Sequence, residues 1–303
     1  MKINVVITGS SGLLGRAVYT KFINEDDFYT TGLVFSRNYD TKKIQCDLTN
    51  DDELQSTLNS IKPNLIIHCA AERRPDVVAN HPDKAKKLNV GGTEKLCLWA
   101  KANKATVLYI STDYVFDGDH PPYSENDIPN PLNDYGLMKF ESERLVLNLN
   151  QRNIVLRLPI LYGDVEYIEE SAVTILFKKV RDPSKTAIMS DHEKRFPTHC
   201  DDIAQTILNM IKYWKMNPQK LQGVFHYQSE EELTKLEMAL NMAKIFNLPY
   251  NHLIAENPPT GNESVKRPYK SELNCQKLKS LNLFHSPRPF SEGINIVLKK
   301  FDD

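Results

Sequence analysis

The chain opens with an apolar run that leads into a glycine-rich turn. Residues 3–7 are rich in β-branched side chains and have the length of a buried parallel strand. Gly9, Gly12 and Gly15 follow at a spacing of Gly-x-x-Gly-x-x-Gly, and the apolar residues within 16–22 fit one face of a helix. In this context the first glycine allows a tight turn, the second a close approach to a pyrophosphate, and the third close helix–strand packing. The start of the chain therefore predicts an α/β fold with a dinucleotide at the positive end of its first helix.

The end of the second predicted strand indicates which dinucleotide is bound. Residues 29–35 are predicted to form this strand, and Arg37 follows it, with no Asp or Glu between 34 and 38. At this position an acidic residue selects the ribose 2′-hydroxyl of NAD, whereas an arginine accommodates the 2′-phosphate of NADP. Arg37, helped by Arg16, therefore favours NADP(H). The alternative is a solvated arginine at a strand end.

Later strand ends add candidate cofactor contacts. A short third strand at 44–48 ends in a polar–apolar pair suited to flank an adenine ring. The fourth strand, 64–71, ends in small residues that allow a cofactor to lie against the backbone, and its His68 is predicted to be a core histidine. The charged stretch 72–76 then forms either a solvated loop or a basic contact for an anionic group.

Composition and charge argue against several classes of function. The chain has 303 residues, enough for one sizeable core with a lobe or for two domains, and its 41% hydrophobic and 25% charged residues are ordinary for a globular protein. A formal net charge of −1 and the lack of a basic stripe argue against nucleic acid as a partner. No apolar segment is long enough to span a bilayer and no signal peptide is recognisable, so we expect no membrane association. An odd number of scattered cysteines predicts a cytoplasmic location and no metal site: Cys46, Cys69, Cys97, Cys200 and Cys275.

Strands and helices alternate through the first half of the sequence. A predicted helix at 83–102 leads to a fifth strand at 106–111. This alternation predicts an α/β fold of the Rossmann type, a doubly wound parallel sheet with a smaller C-terminal substrate-binding lobe. We expect the NADP-binding Rossmann domain to span 1–158 and the smaller mixed α/β lobe to span 159–303, with a segment at about 196–216 that returns to the first domain.

The second half alternates less regularly. Helical spacing is found at 171–181, a loop is predicted at 195–199, and Asp201 and Asp202 are predicted to cap the next helix. Further predicted elements are a strand at 223–227, a helix capped by Thr234, a loop at 258–268 and a terminal helix at 290–301. In that loop, Arg267 is either a phosphate contact or an exposed basic residue.

Three residues near the middle of the chain have the chemistry needed to move a proton to or from a carbonyl or alcohol oxygen. Thr112 lies at the end of the fifth strand, where open α/β sheets bind ligands. Tyr135 and Lys139 follow at i and i+4 of a predicted helix and so lie on one face. A lysine ammonium and an oxidised nicotinamide favour the tyrosine phenolate, while the threonine hydroxyl can hydrogen-bond the reacting oxygen. Alone, Tyr-x-x-x-Lys is often a surface pair; combined with the glycine turn and Thr112 it predicts a catalytic site.

These motifs carry a resemblance to known families. Residues 8–15, Thr112 and the Tyr135/Lys139 pair, in this order, resemble the extended short-chain dehydrogenase/reductase superfamily over nearly the whole chain. The stretch Ser111–Gly118 resembles that of the dTDP-4-dehydrorhamnose reductases. Four longer blocks resemble the regulatory beta subunits of S-adenosylmethionine synthetase (methionine adenosyltransferase): Ala70–Val78, Leu156–Gly163, Glu170–Thr174 and Arg195–His199.

The resemblance implies an NADP(H)-binding, reductase-like protein that forms a hetero-oligomer with the catalytic subunit of S-adenosylmethionine synthetase and modulates S-adenosylmethionine formation. The alternative is an NADPH-dependent reductase that acts on a nucleotide sugar, with Thr112, Tyr135 and Lys139 as catalytic residues. Motifs and resemblance together give the expected cofactor-binding residues: Thr8, Gly9, Ser11, Gly12, Leu13, Leu14, Gly15, Arg16, Phe35, Arg37, Asp47, Leu48, Cys69, Ala70, Ala71, Arg73, Asn89, Tyr135, Lys139, Leu158, Pro159 and Leu161.

Overall fold

The structure is a computed structural model that describes residues 2–37, 42–257 and 265–302. Its strands are β1 (Ile3–Thr8), β2 (Phe28–Val34), β3 (Ile44–Gln45), β4 (Leu65–His68), β5 (Thr106–Thr112), β6 (Ile154–Leu158), β7 (Leu161–Tyr162), β8 (Ala187–Ser190), β9 (Thr198–His199), β10 (Gly223–His226) and β11 (Leu253–Glu256). Its α-helices are α1 (Leu13–Ile23), α2 (Asp51–Ile61), α3 (Pro75–Asn80), α4 (Pro82–Lys86), α5 (Thr93–Ala102), α6 (Asp134–Leu149), α7 (Leu176–Val180), α8 (Cys200–Met216), α9 (Lys235–Ile245), α10 (Gln276–Ser280) and α11 (Phe290–Leu298). Short 3₁₀ turns occur at Asp113–Val115, Ile168–Glu170 and Lys299–Phe301.

The main sheet has seven parallel strands in the order β10-β6-β5-β4-β1-β2-β3. Two small parallel pairs, β7 with β9 and β8 with β11, lie outside it. The predicted doubly wound parallel sheet is therefore confirmed. Since β2 lies on one side of β1 and β4 on the other, the strand order reverses between β1 and β4. A crevice outside the carboxyl ends of strands at such a reversal is where open α/β sheets bind ligands.

The first strand shows why the sheet is covered on both faces. Val5 and Ile7 contribute to one hydrophobic cluster, whereas Val6 contributes to another on the opposite face. Alternate side chains of a strand point to opposite faces, so a strand that is apolar at successive positions must be buried on both. All three side chains are fully buried.

Helix α8 packs against α1 on one face of the sheet and links the second half of the chain to the first. Ile203 and Ile207 share a hydrophobic cluster with Val18 and Phe22. After α8, strand β10 pairs with β6 at the edge of the main sheet, so the chain also rejoins the sheet beyond the predicted returning segment. The division of the chain into two lobes at residue 158 stays a prediction.

The helix predicted at 83–102 is interrupted. Helix α4 ends at Lys86, a π-helical segment spans Lys87–Gly92, and α5 begins at Thr93. The Thr93 hydroxyl donates to the Asn89 carbonyl at 2.6 Å, a local bond that competes with the regular helical pattern. Such π-helical turns inside helices are frequent near functional sites, and this one carries Asn89, a predicted cofactor contact.

Smaller differences from the predictions have local causes. The third strand spans only Ile44–Gln45, because pairing with β2 stops after two residues. The loop predicted at 195–199 contains β9, which pairs with β7. His199, rather than Asp201 or Asp202, caps α8, since its Nδ1 accepts the Asp201 N–H at 3.1 Å. Helix α7 is confined to Leu176–Val180, and the predicted loop at 258–268 begins in residues outside the described ranges.

Candidate functional site

The glycine turn is shaped by backbone contacts that leave no room for side chains. Gly9 has a φ of +64°, and a Cβ there would lie 2.8 Å from the Cα of Ala70. The Gly12 N–H donates to the Gly9 carbonyl at 2.8 Å. A Cβ on Gly15 would lie 2.1 Å from the same carbonyl oxygen. The turn, the first helix and the end of β4 are therefore in close contact through their backbones.

Helix α1 begins directly after this turn and has no side-chain cap. Gly12 is the N-cap residue and offers no side chain to satisfy the N–H groups that follow it. Leu13 and Leu14 are buried and anchor the helix in the core. The first-turn amides and the positive end of the helix dipole therefore remain available for an anionic group such as a pyrophosphate.

A hydrogen-bonded chain fixes the strands on either side of the strand-order reversal. The Ala70 N–H donates to Thr8 Oγ1 at 3.2 Å, and Thr8 Oγ1 lies 2.7 Å from His68 Nδ1. His68 Nε2 lies 3.0 Å from Thr93 Oγ1, which itself donates to Asn89 O. These partners assign the histidine proton to Nε2. The prediction that His68 is a satisfied core histidine is confirmed.

At the strand ends where the adenosine is predicted to lie there is a cluster of four charged side chains, here called the adenosine-end cluster: Arg16, Arg37, Glu166 and Glu170. Arg16 makes a bidentate pair with Glu170, at 2.9 and 2.6 Å. Arg37 Nη1 lies 2.9 Å from Glu170 Oε1 and 3.0 Å from Glu166 Oε2. Although burial alone would raise it, the hydrogen bonds from both arginines lower the pKa of Glu170 to about 2.

The adenosine-end cluster joins the first half of the chain to the second. Arg16 Nη2 also donates to the Asp164 carbonyl at 2.8 Å, and Arg16 Nη1 donates to Ser11 O in the glycine turn. Arg73, a predicted cofactor residue at the rim, donates to the carbonyl of Glu170. Glu170 thus contacts three arginines that were singled out from the sequence.

Sequence reasoning missed the role of Glu166 and Glu170 as partners of these arginines. In the sequence, Glu170 is the first residue of a block that resembles a family, and this resemblance gives no partner for its side chain. Its partners lie 154 and 133 positions earlier in the chain, at Arg16 and Arg37. No local pattern gives a pairing over that distance.

Several of the remaining predicted cofactor residues lie at or near carboxyl ends of the main-sheet strands. Cys69, Ala70 and Ala71 directly follow β4, and Pro159 follows β6, which ends at Leu158. Phe35 follows β2 with 60% of its surface exposed. Other members make structural contacts: Asp47 accepts from Thr49, Leu48 packs beside Gly92, Asn89 exchanges hydrogen bonds with the backbone of Glu72, and Leu161 pairs with Thr198.

Thr112 and Tyr135 lie beside one another at the end of β5. The rings of Tyr135 and Tyr114 meet edge to face, with centroids 6.2 Å apart. Burial raises the pKa of Tyr135, and the Thr112 hydroxyl opposes part of that rise. Thr112 Oγ1 also donates to Asp113 Oδ1 at 3.1 Å. The phenol therefore stays protonated at neutral pH in this environment.

Lys139 is on the same helix as Tyr135 but makes different contacts. Its Nζ donates to the Ile110 carbonyl at 2.5 Å and lies 4.1 Å from the ring centroid of Tyr109. Within the described residues no hydrogen bond joins it to Tyr135, and its effect on the tyrosine phenolate stays a prediction. Burial lowers the pKa of Lys139 to about 7, although Glu143 acts in the opposite direction.

A second contact between the halves of the chain lies directly under the predicted catalytic residues. The Ser271 hydroxyl donates to Asp113 Oδ2 at 2.6 Å. Burial raises the pKa of Asp113 to about 6, against the effect of this hydrogen bond. Arg195 lies over the ring of Tyr114 at 5.8 Å and donates to the carbonyl of Pro268 at 3.0 Å. The second half of the chain therefore packs against the end of β5.

Other features of the described residues bear on metal and membrane sites. Among them, no group of three or more His, Cys, Asp or Glu side chains is arranged to hold a metal ion. All five cysteines have free thiols. No helix in the described part of the chain has both the length and the hydropathy needed to cross a bilayer.

Comparisons with known proteins extend over almost all of the chain. A family model described as the RmlD substrate binding domain matches residues 1–302. Methionine adenosyltransferase 2 subunit beta of Bos taurus is 45% identical over 299 residues, which are 98% of this chain and 87% of that protein. The dTDP-4-dehydrorhamnose reductase of Aggregatibacter actinomycetemcomitans is 30% identical over 284 residues, 91% of this chain and 92% of that protein. A crystal structure of dTDP-4-dehydrorhamnose reductase from Bacillus anthracis in complex with NADP has a TM-score of 0.81 and 26% identity, and the match covers 99% of this chain and 100% of that one.

The seven-stranded parallel sheet defines the class: a Rossmann-type α/β protein with the fold of nucleotide-sugar reductases and epimerases. Within that class, the chain belongs to the RmlD substrate-binding-domain family. The predicted resemblances to methionine adenosyltransferase beta subunits and to dTDP-4-dehydrorhamnose reductases are both confirmed.

Proposed function

We propose that this protein is an NADP(H)-binding subunit that associates with the catalytic subunit of a methionine adenosyltransferase and modulates S-adenosylmethionine formation. The observation that carries the proposal is the 45% identity to a beta subunit over 98% of the chain. That likeness is not confined to the dinucleotide-binding half, which proteins of many functions share. It includes the second half of the chain, where reductases and regulatory subunits are free to differ.

The residues of the crevice fit an NADP cofactor. The glycine turn and the uncapped N-terminus of α1 would hold the pyrophosphate. Arg37, with Arg16 beside it, would bind the 2′-phosphate. Lys139, whose ammonium has donors beyond the one taken by Ile110, would hold the nicotinamide ribose. The similar reductase from Bacillus anthracis is solved with NADP, which supports this choice of nucleotide.

Co-elution with the catalytic subunit tests the regulatory function. The two proteins from the same organism are mixed at micromolar concentration and separated by size, and methionine adenosyltransferase kinetics are measured with and without this chain. We expect a joint elution peak and an altered KM or kcat. The Tyr135→Phe variant should act in the same way, because a regulatory function does not use the phenol proton. Separate elution with unchanged kinetics would contradict the proposal.

A second candidate function is NADPH-dependent reduction of a nucleotide sugar. It is favoured by the 30% identity to a dTDP-4-dehydrorhamnose reductase and by Thr112 and Tyr135 lying together at the end of β5. NADPH, when bound, supplies a hydride. Tyr135, which burial keeps protonated, would give its proton to the carbonyl oxygen, and Thr112 would hydrogen-bond the same oxygen.

Loss of NADPH absorbance in the presence of dTDP-4-dehydrorhamnose separates the two functions. Turnover by the wild type that disappears in Tyr135→Phe and survives in Tyr250→Phe, a change at an exposed tyrosine, would establish the reductase function. No turnover above background, together with altered synthetase kinetics, would leave the regulatory function as the one supported.

A further inference from the structure

We infer that Glu166 is a specificity-determining residue: a displaceable counterion of Arg37 that competes with the 2′-phosphate of NADP and does not affect the binding of NAD. The inference rests on the proposed binding of NADP at Arg37. It concerns the adenosine-end cluster, in which two carboxylates face two guanidinium groups.

The two carboxylates differ in how firmly they are held. The Glu170 side chain is 3% exposed and contacts both Arg16 and Arg37. The Glu166 side chain is 37% exposed, lies 3.0 Å from Arg37 and has only a longer contact of 3.5 Å with Arg16. Glu170 is thus an inner, fixed partner, and Glu166 is an outer one at the edge of solvent.

The backbone keeps Glu166 near Arg37 without fixing its side chain. The Glu166 N–H donates to Glu170 Oε2 at 2.9 Å, which positions the start of the side chain. Rotation about the Cβ–Cγ and Cγ–Cδ bonds gives the side chain other rotamers, in which its carboxylate is turned into water. Water then solvates the released charge, whereas no such exchange is open to the buried Glu170.

The charge balance of the adenosine-end cluster explains why NADP and NAD should respond differently. Two guanidinium groups and two carboxylates together carry no net charge. A 2′-phosphate adds about 1.5 to 2 negative charges at neutral pH, by analogy with other phosphate monoesters. Arg37 then cannot pair equally well with the phosphate and with both carboxylates. The more exposed carboxylate, that of Glu166, is displaced. NAD has a hydroxyl at this position and brings no charge, so its binding requires no displacement.

Neutralising Glu166 tests the inference, and the same segment offers a matched control. Glu169 is 45% exposed and pairs with Lys178 rather than with an arginine of the cluster. Affinities for NADP and NAD are measured by calorimetry for the wild type, Glu166→Gln and Glu169→Gln. We expect Glu166→Gln to tighten NADP binding by about two- to fivefold, the range of one partly exposed ion pair, with NAD affinity unchanged. Glu169→Gln changes the net charge by the same amount and should leave the affinities for NADP and NAD unchanged.

A double-mutant cycle gives a readout that a purely structural role would not move. In an Arg37→Ala background the Glu166→Gln change should no longer affect NADP affinity, because the two effects act through one pair. The inference is wrong if Glu166→Gln leaves NADP affinity unchanged, tightens NAD equally, or matches Glu169→Gln. In each of those results the wild type still binds NADP, so the proposed cofactor site survives. If the wild type binds neither nucleotide, both the inference about Glu166 and the proposed cofactor site are wrong.

Discussion

Single residues around the crevice fall into two electrostatic groups. Arg16, Arg37 and Glu170 remain charged because they pair with one another. Burial instead shifts His68 and Lys139 towards their neutral forms. Paired charges are therefore concentrated where the phosphate of a cofactor would lie.

Replacing Arg37 by alanine is predicted to weaken NADP binding by about tenfold or more, the cost of losing a hydrogen bond between charged groups. NAD affinity should change by less than about twofold, since its 2′-hydroxyl does not need the guanidinium. Calorimetric titration with both nucleotides measures the ratio of NADP affinity to NAD affinity. Arg74→Ala, at an arginine with 64% of its side chain exposed, is the control. Equal affinities of wild type and Arg37→Ala for NADP would show that another residue binds the phosphate.

Replacing His68 by glutamine is predicted to reduce the acid sensitivity of the fold. Burial lowers the pKa of His68 from 6.5 to about 3. Between these two pH values the His68 imidazole is protonated in the unfolded chain but not in the native state. The free energy of unfolding therefore falls as the pH drops from about 6.5 towards 3. At about pH 5 the expected loss is about 2 kcal/mol for one such histidine.

Urea unfolding between about pH 7 and pH 5 measures this effect. The free energy of unfolding should fall less steeply for His68→Gln than for the wild type. His120→Gln changes an exposed histidine and should keep the wild-type slope. An identical slope in all three proteins would mean that His68 accepts its proton in the native state.

The residue-level predictions succeeded where the cause was local. His68 sits in an apolar run, and its burial follows from that run alone. The spacing of Tyr135 and Lys139 places them on one helical face, but it does not predict that Lys139 donates to the Ile110 carbonyl, a bond that a buried ammonium needs. The pairing of Arg37 with Glu166 depends on tertiary structure and has no signal in the sequence.

At the scale of elements, the glycine turn is the most constrained part of the fold. Its predicted position follows from steric limits that only glycine meets, so sequence reasoning could find it. The π-helical segment between α4 and α5 was not predicted, because such a rare turn has no distinctive residue pattern of its own.

Gly15→Ala is predicted to disrupt this element. The added Cβ would lie 2.1 Å from the Gly9 carbonyl oxygen, so α1 must move away from the turn. We expect a loss of stability of about 1 to 3 kcal/mol, typical of overpacking, together with loss of dinucleotide binding. Gly91→Ala is the matched control, since the nearest atom to its Cβ would be 4.0 Å away. Thermal unfolding and nucleotide titration of both variants check this; equal behaviour would contradict the steric account.

At the scale of the whole molecule, the parallel sheet could be predicted because strands and helices alternate through the first half of the chain. The place of β10 could not, because the chain leaves the main sheet after β6 and returns only after α8. No repeating pattern marks that return. Glu170 contacts Arg16, and Ser271 contacts Asp113. Both contacts form because parts of the chain after β6 pack back against the first half.

Both proposed functions require a nicotinamide dinucleotide on the turn between β1 and α1, and calorimetric titration of the folded protein with NADPH tests this requirement most directly. The account predicts saturable binding at one site per chain, weaker for NADH and for Arg37→Ala, and lost in Gly15→Ala. If the folded wild type bound neither NADPH nor NADH, the dinucleotide site would be excluded.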